Sequence, residues 1–356
     1  MKTNNIHINF QLNGISFSST EDVILFSASI SKELTYFLNE WFSKDDFIIV
    51  NTSGSTGKPK HIELKKEFML NSAIATGKYF NMPNKTTALC CLPIDFIAGK
   101  MMLVRALTLG WHLDVEVSNS NPLEFIEKEY NFSAMVPLQV DNSIDRLYLI
   151  QKLIIGGGEV SSKLQEKLQE VSTQVFATYG MTETITHIAV QKLNNFSLTE
   201  VPVASKYKIL PNVQISLDHR NCLVINAPKV SSEIIVTNDV VEITSKTEFI
   251  WKGRFDNVIN SGGIKLHPEV IEKKLASVIQ SRFFVAGIPD EKLGEKLILI
   301  IEGENNLVIS NEVRNLKKVL SKFEIPKETF FISKFSETAT GKIQRKSTLQ
   351  KVLTTS

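Results

Sequence analysis

A run of nine residues, Thr52 to Lys60, combines glycine, hydroxyl and lysine side chains in a pattern suited to binding phosphate. The two glycines let the backbone approach an anion closely, and the Ser, Thr and Lys side chains supply hydrogen-bond donors. The candidates for phosphate contact are Thr52, Ser53, Gly54, Ser55, Thr56, Gly57, Lys58 and Lys60. A Walker A loop is disfavoured, because Lys58 is followed by Pro59 and the glycines are too close together. The run therefore predicts a phosphate site of another kind.

Several further segments carry residues that could serve a bound nucleotide. They are Gly156 to Gly158, Tyr179 to Thr184, Thr237 to Asp239, Gly253-Arg254, Phe255 to Asn257, Ile259 to Pro268 and Thr338 to Lys346. Taken alone, most have an ordinary structural explanation, such as a turn, a surface pair or a basic tail. Their order along the chain is what makes a shared site the better interpretation.

Together these segments resemble the signature motifs of the adenylate-forming superfamily, which includes acyl-CoA synthetases, peptide-synthetase adenylation domains and luciferases. The resemblance extends from about residue 47 to the C-terminus. It implies that Thr182 contacts the α-phosphate of ATP, that Glu183 holds Mg²⁺, and that Lys342 bridges the acid and the α-phosphate. The other nucleotide contacts that it implies are Gly157, Gly158, Tyr179, Gly180, Asp239 and Arg254.

The chemistry of adenylation suits these residue types. A carboxylate attacks the α-phosphorus, and negative charge builds on its oxygens and on the departing pyrophosphate. A metal-bound carboxylate and fixed donors stabilise that charge. A lysine carries a compact charge on a long stem, so that it can neutralise two anions as they meet.

The resemblance also implies a second half-reaction with coenzyme A. Asp256 matches the hinge of the family, and Gly262 and Gly263 match the loop that lines the pantetheine tunnel. We therefore predict an N-terminal adenylation domain, residues 1–254, with a shortened first subdomain, and a mobile C-terminal domain, residues 255–356, that carries Lys342.

The acid itself is suggested by the segment from Leu92 to Leu109. Phe96 stands where the family has an aromatic or histidine gate. If Gly99 to Leu109 is helical, Arg105 lies on an apolar stripe, where an unpaired charge is costly. Its partner is either Asp95 or an anionic substrate. The spacing of Gly99 and Arg105 resembles that in o-succinylbenzoate–CoA ligases of menaquinone biosynthesis, in which a matching arginine is associated with the succinyl-side carboxylate.

The resulting hypothesis is an ATP-dependent acid–CoA ligase that acts through an acyl-adenylate on o-succinylbenzoate. Three alternatives remain: a ligase for another aryl or fatty acid, an adenylation domain that loads a carrier protein, and a non-catalytic nucleotide-binding relative. The expected ligands are ATP, Mg²⁺, coenzyme A and a small carboxylic acid.

Composition adds exclusions. Lys plus Arg is 40 and Asp plus Glu is 38, so the net charge of +2 gives no reason to expect a nucleic acid or a membrane as partner. The three cysteines, Cys90, Cys91 and Cys222, fit neither a disulfide framework nor a zinc site. We predict a cytoplasmic protein without integral membrane association, and a homodimer stays open.

The elements that must position these residues follow from hydrophobic patterning. Apolar runs alternate with helical spacing up to Ala177, which predicts a large α/β domain with a mostly parallel sheet. Short alternating runs from Val203 to Trp251 predict a β-rich section, and the remainder predicts a small α+β domain.

Overall fold

The computed structural model describes residues 6–52, 60–196, 206–304, 316–337 and 343–355. The helices are Thr20–Ser27 (α1), Lys32–Phe42 (α2), Lys66–Tyr79 (α3), Ile97–Leu109 (α4), Pro137–Asn142 (α5), Ser162–Leu168 (α6), Pro268–Leu275 (α7) and Arg345–Thr355 (α8). The strands of the largest sheet are Gln11–Leu12 (β1), Ile15–Ser16 (β2), Thr87–Cys90 (β5), His112–Val115 (β6), Tyr130–Met135 (β7), Ile150–Ile155 (β8), Gln174–Gly180 (β9), His187–Lys192 (β10), Lys206–Ile209 (β11), Gln214–Leu217 (β12), Cys222–Asn226 (β13), Ile235–Ser245 (β14) and Glu248–Arg254 (β15).

The centre of this 13-stranded sheet is parallel, as the alternation of strands and helices predicts. From β5 the chain adds β6 on one side and then β7, β8 and β9 on the other. The order of strands therefore reverses between β5 and β7. In doubly wound folds, ligands bind beyond the carboxyl ends of the strands near such a reversal.

Beyond β9 the same sheet continues in antiparallel fashion. β10 pairs with β9, β11 pairs with β10 and β15, and β14, β13 and β12 complete the edge. The predicted β-rich section is thus a direct extension of the parallel sheet. This extension brings β14 and β15 towards the end of β9.

A separate two-stranded ribbon flanks the predicted phosphate run. Phe47–Thr52 (β3) and Lys60–Lys65 (β4) pair antiparallel, with Thr52 opposite Lys60. The run leads into β4, and helix α3 begins only at Lys66. His61 to Leu64 alternates polar and apolar residues, a signal for a strand.

A second sheet begins after the largest one ends. It contains Ile259–Ser261 (β16), Ile264–Leu266 (β17), Phe283–Asp290 (β18), Gly294–Glu302 (β19) and Glu328–Ile332 (β20). α7 packs on β18 and also against β15 of the large sheet. The division into domains at residues 254 and 255 stays a prediction, which falls between the two sheets.

Apolar side chains fill both sides of the parallel sheet. α4 is buried on all faces rather than along one stripe, since every residue from Gly99 to Thr108 is buried. Phe37 and Trp41 of α2 and Trp111 are among the largest fully buried side chains in the described residues. Burying one large apolar side chain stabilises a fold by roughly 1.5–3 kcal/mol. α4 is therefore held firmly in place.

Candidate active site

The carboxyl edge of the parallel strands collects most of the segments singled out in the sequence. The segment with Phe96 follows β5, Gly156 to Gly158 follow β8, and the turn Thr182–Thr184 follows β9. β4 lies beside that turn, so the ribbon that flanks the phosphate run reaches the same edge. The fold thus brings together residues that are far apart in the chain.

The glycine turn after β8 needs small residues for two separate reasons. Gly157 has a φ of 78°, in the left-handed region that favours glycine. A Cβ on Gly156 would lie 2.9 Å from Oγ1 of Thr178, which donates a hydrogen bond to the carbonyl oxygen of Ile155 at 2.9 Å. The neighbouring strand therefore closes over the turn and fixes it.

The turn after β9 is held by the side chain of Thr184. Its hydroxyl oxygen accepts from the backbone N–H of Met181 at 3.1 Å, and its hydroxyl lies 2.8 Å from the carbonyl oxygen of Thr186. Ile185 has a φ of 67° and a ψ of −65°, and a bond from Thr186 N–H to Thr184 closes the bend. Such a backbone costs a β-branched residue about 1–3 kcal/mol. Glu183 stays exposed on this braced turn.

Gly180 shows how tightly this bend is packed. A Cβ there would lie 2.1 Å from the carbonyl oxygen of Thr186. No larger residue fits without moving the backbone that carries Thr182 and Glu183.

A polar cluster forms around the carboxylate of Asp239, a predicted nucleotide contact. The hydroxyl of Tyr179 donates to Oδ2 at 2.7 Å, and the indole N–H of Trp251 donates to Oδ1 at 3.1 Å. Nη1 of Arg254 lies 3.7 Å from Oδ1. Burial and the charge of Asp239 raise the pKa of Tyr179, so its hydroxyl stays protonated and donates. Three of the predicted nucleotide residues therefore meet at one point.

The residue before Asp239 contacts two other segments. Asn238 lies within β14 and has no positive φ. Its side chain accepts from Arg220 at 2.8 Å and donates to Asp256 at 3.3 Å. Asn238 therefore contributes a side-chain link between strand and predicted hinge.

Arg105 is a buried cation with 2 % of its surface exposed. Nη1 lies 3.6 Å from Sδ of Met102, and Nε has no hydrogen-bond partner among the described residues. Burial lowers its pKa to about 10, an effect that Cys90 opposes, so it is charged at neutral pH. The proposed protein partner was wrong: Asp95 is exposed and forms no ion pair with Arg105 in the described part of the chain.

His187 accompanies Arg105 in the same buried region. Burial lowers its pKa to about 3, and the charge of Arg105 adds to this shift. Nε2 of His187 lies 3.5 Å from Oγ1 of Thr76 on α3. Phe96, the expected gate, is half exposed at the start of α4. The region thus offers a fixed positive charge beside a neutral imidazole.

Some predicted site residues lie outside the described residues, and the side chains of two others are not described. Those outside are Ser53, Gly54, Ser55, Thr56, Gly57, Lys58 and Lys342. Thr52 and Lys60 end the two strands of the ribbon, and only their backbone register is described. Their predicted contacts stay predictions.

Asp256 and the Gly262-Gly263 pair each lie in a short turn, and their roles as hinge and coenzyme A loop stay predictions. Asp256 lies in the short turn Phe255–Asn257, with Oδ2 3.7 Å from Nη2 of Arg254. Gly262 and Gly263, with φ of 59° and 81°, connect β16 to β17. Two positive φ values mark a type I′ hairpin turn. The glycines therefore make a sharp projecting turn.

The described residues contain no group of three or more metal-binding side chains. A magnesium ion at Glu183 would thus rely on phosphate oxygens and water, as Mg²⁺ often does. The exposed carboxylate fits that arrangement. No described helix is long and apolar enough to cross a membrane.

Sequence reasoning missed several residues of this region. Trp251 lies at the end of the alternating runs, which predicted only a strand there, although it stands just before Gly253-Arg254. His187 and Arg220 carried no signal, because their roles depend on strands that are distant in sequence.

Comparison with known proteins places this site in context. The profile described as AMP-binding enzyme matches residues 15–239. The 2-succinylbenzoate–CoA ligase of Bacillus mycoides (strain KBAB4) is 24 % identical over 352 residues, covering 87 % of this chain and 71 % of the relative.

Two solved structures are also similar. An acyl-CoA synthetase (AMP-forming)/AMP-acid ligase II-like protein from Dyadobacter fermentans is 35 % identical, covers 90 % of this chain and 95 % of its own, and has a TM-score of 0.59. O-succinylbenzoate coenzyme A synthetase from Bacillus subtilis, in complex with ATP and magnesium ion, has a TM-score of 0.72. It is 19 % identical and covers 93 % of this chain and 82 % of its own.

Proposed function

This chain belongs to the AMP-binding enzyme family, and we propose from that premise that it is an acid–CoA ligase whose acid is o-succinylbenzoate. The observation that carries the choice of acid is the buried guanidinium of Arg105, which has no carboxylate partner in the described residues. An acid with a second carboxylate would supply that partner. The names of the similar ligases agree with this choice.

In the first half-reaction an oxygen of the acid attacks the α-phosphorus of ATP, and pyrophosphate leaves with the electrons of the broken bond. Asp239 would accept the ribose hydroxyls, because each of its oxygens keeps a lone pair after bonding to Tyr179 or Trp251. Arg254 would add a donor at the same place. Glu183 would hold Mg²⁺, whose charge offsets that of the phosphates.

The remaining roles in this half-reaction fall to residues proposed from the family motifs. The backbone and side chains from Thr52 to Lys60 would surround the phosphates, and Thr182 would donate to the α-phosphate. Lys342 would neutralise charge between the acid and the α-phosphate. In the second half-reaction the thiolate of coenzyme A attacks the acyl carbon, and AMP leaves.

Arg105 would bind the carboxylate that does not react. Its planar guanidinium can take a carboxylate through two parallel hydrogen bonds. Because the site is buried, a plain fatty acid would leave the charge without a partner. His187 stays neutral beside it and so adds no competing charge. This arrangement favours a dicarboxylic acid over a monocarboxylic one.

The second sheet and its helices would turn about Asp256 between the two half-reactions, so that residues 255–356 act as one mobile domain. One pose would present Lys342, and the other would present the Gly262-Gly263 turn to the pantetheine arm. The three buried, unpaired thiols agree with a reducing cytoplasm, which is the compartment that we propose.

A panel of acids tests this function. The protein is mixed with ATP, Mg²⁺, coenzyme A and one acid at a time, and pyrophosphate release and thioester mass are measured. We expect more pyrophosphate release and more thioester with o-succinylbenzoate than with benzoate or a medium-chain fatty acid. A fatty acid as best substrate would overturn the choice of acid. Pyrophosphate without free thioester would indicate carrier loading, and no pyrophosphate with any acid would indicate a non-catalytic relative.

A further inference from the structure

Helix α7 contacts both the predicted hinge and the start of α8. It begins at Pro268, directly after the β16–β17 hairpin, and two of its glutamates, Glu269 and Glu272, point to different parts of the molecule. These contacts make α7 a rigid connection between the predicted hinge and the start of α8.

The first contact joins α7 to the hinge. Oε1 of Glu269 accepts a hydrogen bond from the side-chain amide of Asn257 at 2.6 Å. Gly253, with a φ of 131°, packs so closely that a Cβ would lie 2.2 Å from Oε2 of Glu269. The carboxylate is therefore held between the two residues that flank Arg254 to Asp256.

The second contact joins α7 to the first residue of α8. Nη1 and Nη2 of Arg345 each lie 2.6 Å from one oxygen of Glu272, in a two-pronged ion pair. Oε1 of Glu272 also accepts from the backbone N–H of Val285 at 2.8 Å. The guanidinium stacks over the ring of Phe284, 5.5 Å from its centre. Such a fork fixes position as well as charge.

The charge of Arg345 also reaches the large sheet. Glu159 is an exposed residue after the glycine turn that follows β8; the surrounding protein and Glu269 raise its pKa, whereas Lys273 and Arg345 lower it. The start of α8 therefore lies within electrostatic range of the edge to which we assign the nucleotide. Arg345 follows Lys342 by three residues, and three residues of chain span at most roughly 11 Å.

We propose that Glu272 and Arg345 are positioning residues for the adenylation half-reaction, which they serve by fixing the start of α8 to α7. Through α7 and the Glu269–Asn257 contact, the start of α8 is tied to the hinge, so that it moves with the hinge as one body. The proposal rests on the proposed role of Lys342.

The test measures the two half-reactions separately. Adenylation is followed as pyrophosphate release from ATP and acid without coenzyme A, and the second step as thioester formation from supplied acyl-adenylate and coenzyme A. Glu272→Gln keeps the shape of the side chain but removes its charge. We expect kcat for adenylation to fall about tenfold or more, since small misplacements of a catalytic group are costly. The KM for ATP and the thioester step should change less than about twofold.

Glu324→Gln is a matched control. Glu324 pairs with Lys274 of the same helix at 2.6 and 2.8 Å, so its loss removes a similar ion pair away from α8. The control should leave the ratio of the two half-reactions unchanged. Arg345→Lys keeps the charge without the fork and should give a smaller selective loss of adenylation.

A double variant separates positioning from stability. If Glu272 acts through Lys342, adding Glu272→Gln to Lys342→Ala should slow adenylation no further than Lys342→Ala alone. Equal losses in both half-reactions, with a lower Tm like that of Glu324→Gln, would make the ion pair merely structural. Normal adenylation in Glu272→Gln beside a defective Lys342→Ala would overturn this inference alone. Normal adenylation in Lys342→Ala would overturn the proposed role of the lysine as well.

Discussion

Asp239 and Arg105 are both buried charged residues, but their surroundings differ. Asp239 accepts from Tyr179 and Trp251 and has Arg254 nearby, so its charge is balanced within the protein. The guanidinium of Arg105 lies beside the thioether sulfur of Met102, and no carboxylate among the described residues pairs with it. The partners of a satisfied charge are in place before a ligand binds. An unsatisfied charge has a cost that an anionic ligand can remove.

The two charges suit two different roles. The Asp239 cluster joins β9, β14 and β15, so it depends on the fold and should serve a ligand common to the whole family. Arg105 lies on α4 alone, and in the proposed function it would distinguish one acid from another. Substitutions at the two places should therefore affect different substrates.

The largest effect is expected at Arg105. Arg105→Leu should weaken the use of o-succinylbenzoate by roughly 2–5 kcal/mol, the usual cost of breaking a buried charge pair. The KM for ATP should change little, and the Tm should hold or rise, because an apolar residue replaces an unpaired charge. Steady-state kinetics with each substrate and thermal melting provide the measurements.

Arg105→Lys is the control for this prediction, because it keeps the charge without the planar fork of the guanidinium. Its activity with o-succinylbenzoate should lie between that of the wild type and that of Arg105→Leu. A monocarboxylic analogue should be used no worse by Arg105→Leu than by the wild type. Unfolding of the variant, or a parallel loss of ATP binding, would make Arg105 a structural residue.

The second prediction concerns Asp239, whose charge is balanced within the protein. Asp239→Asn leaves Tyr179 and Trp251 with a neutral partner, and the amide cannot accept from all of its neighbours. We expect a loss of about 1.5–3 kcal/mol in ATP affinity, the range for hydrogen bonds to a charged group, with the preference among acids unchanged. Titration calorimetry with ATP measures the effect. A change in acid preference would break the division of roles between the two charges.

Glu183 offers a third test at the same edge, because it is exposed and borders neither buried charge. Glu183→Gln should raise the Mg²⁺ concentration needed for half-maximal adenylation several-fold and leave the Tm unchanged, as expected when one of few protein ligands loses its charge. Identical Mg²⁺ titration curves for wild type and variant would reject the metal role.

An effect that is almost absent at pH 7 sharpens the account of Arg105 through its neighbour His187. Its pKa of about 3 in the folded protein lies below the usual 6.5, so the unfolded chain binds this proton more readily. The stabilisation is complete above pH 6.5 and declines as the pH falls towards 3, by about 2 kcal/mol at pH 5. Urea midpoints at pH 7 and pH 5 should show a smaller difference for His187→Gln than for the wild type. If the difference between the two midpoints is the same in the variant, His187 is not the cause of the loss of stability at low pH.

The sequence could single out several residues of this region because their motifs are local. The order of the segments from Gly156 to Arg254 indicated a nucleotide site, and the apolar runs indicated the parallel sheet that aligns them. The turn at Ile185 and the indole of Trp251 could not be predicted, since each depends on packing between strands. The suggestion of Asp95 for Arg105 rested on sequence proximity, whereas the start of α4 directs Asp95 to the surface. There its charge opposes the lowering of the pKa of Lys100 by burial.

The strand β1, which lies between β6 and the edge strand β2, has a consequence for how the chain is made. Gln11 and Leu12 pair in parallel with His112 and Leu113, about one hundred residues later. At roughly 5–20 residues per second, a ribosome needs on the order of 5–20 s to supply that partner. During this interval the first strand has no place in the sheet, and β6 later emerges with one side unpaired. The N-terminal segment therefore joins the sheet after its neighbours have begun to form, and its docking ends the time during which that edge is open to other chains.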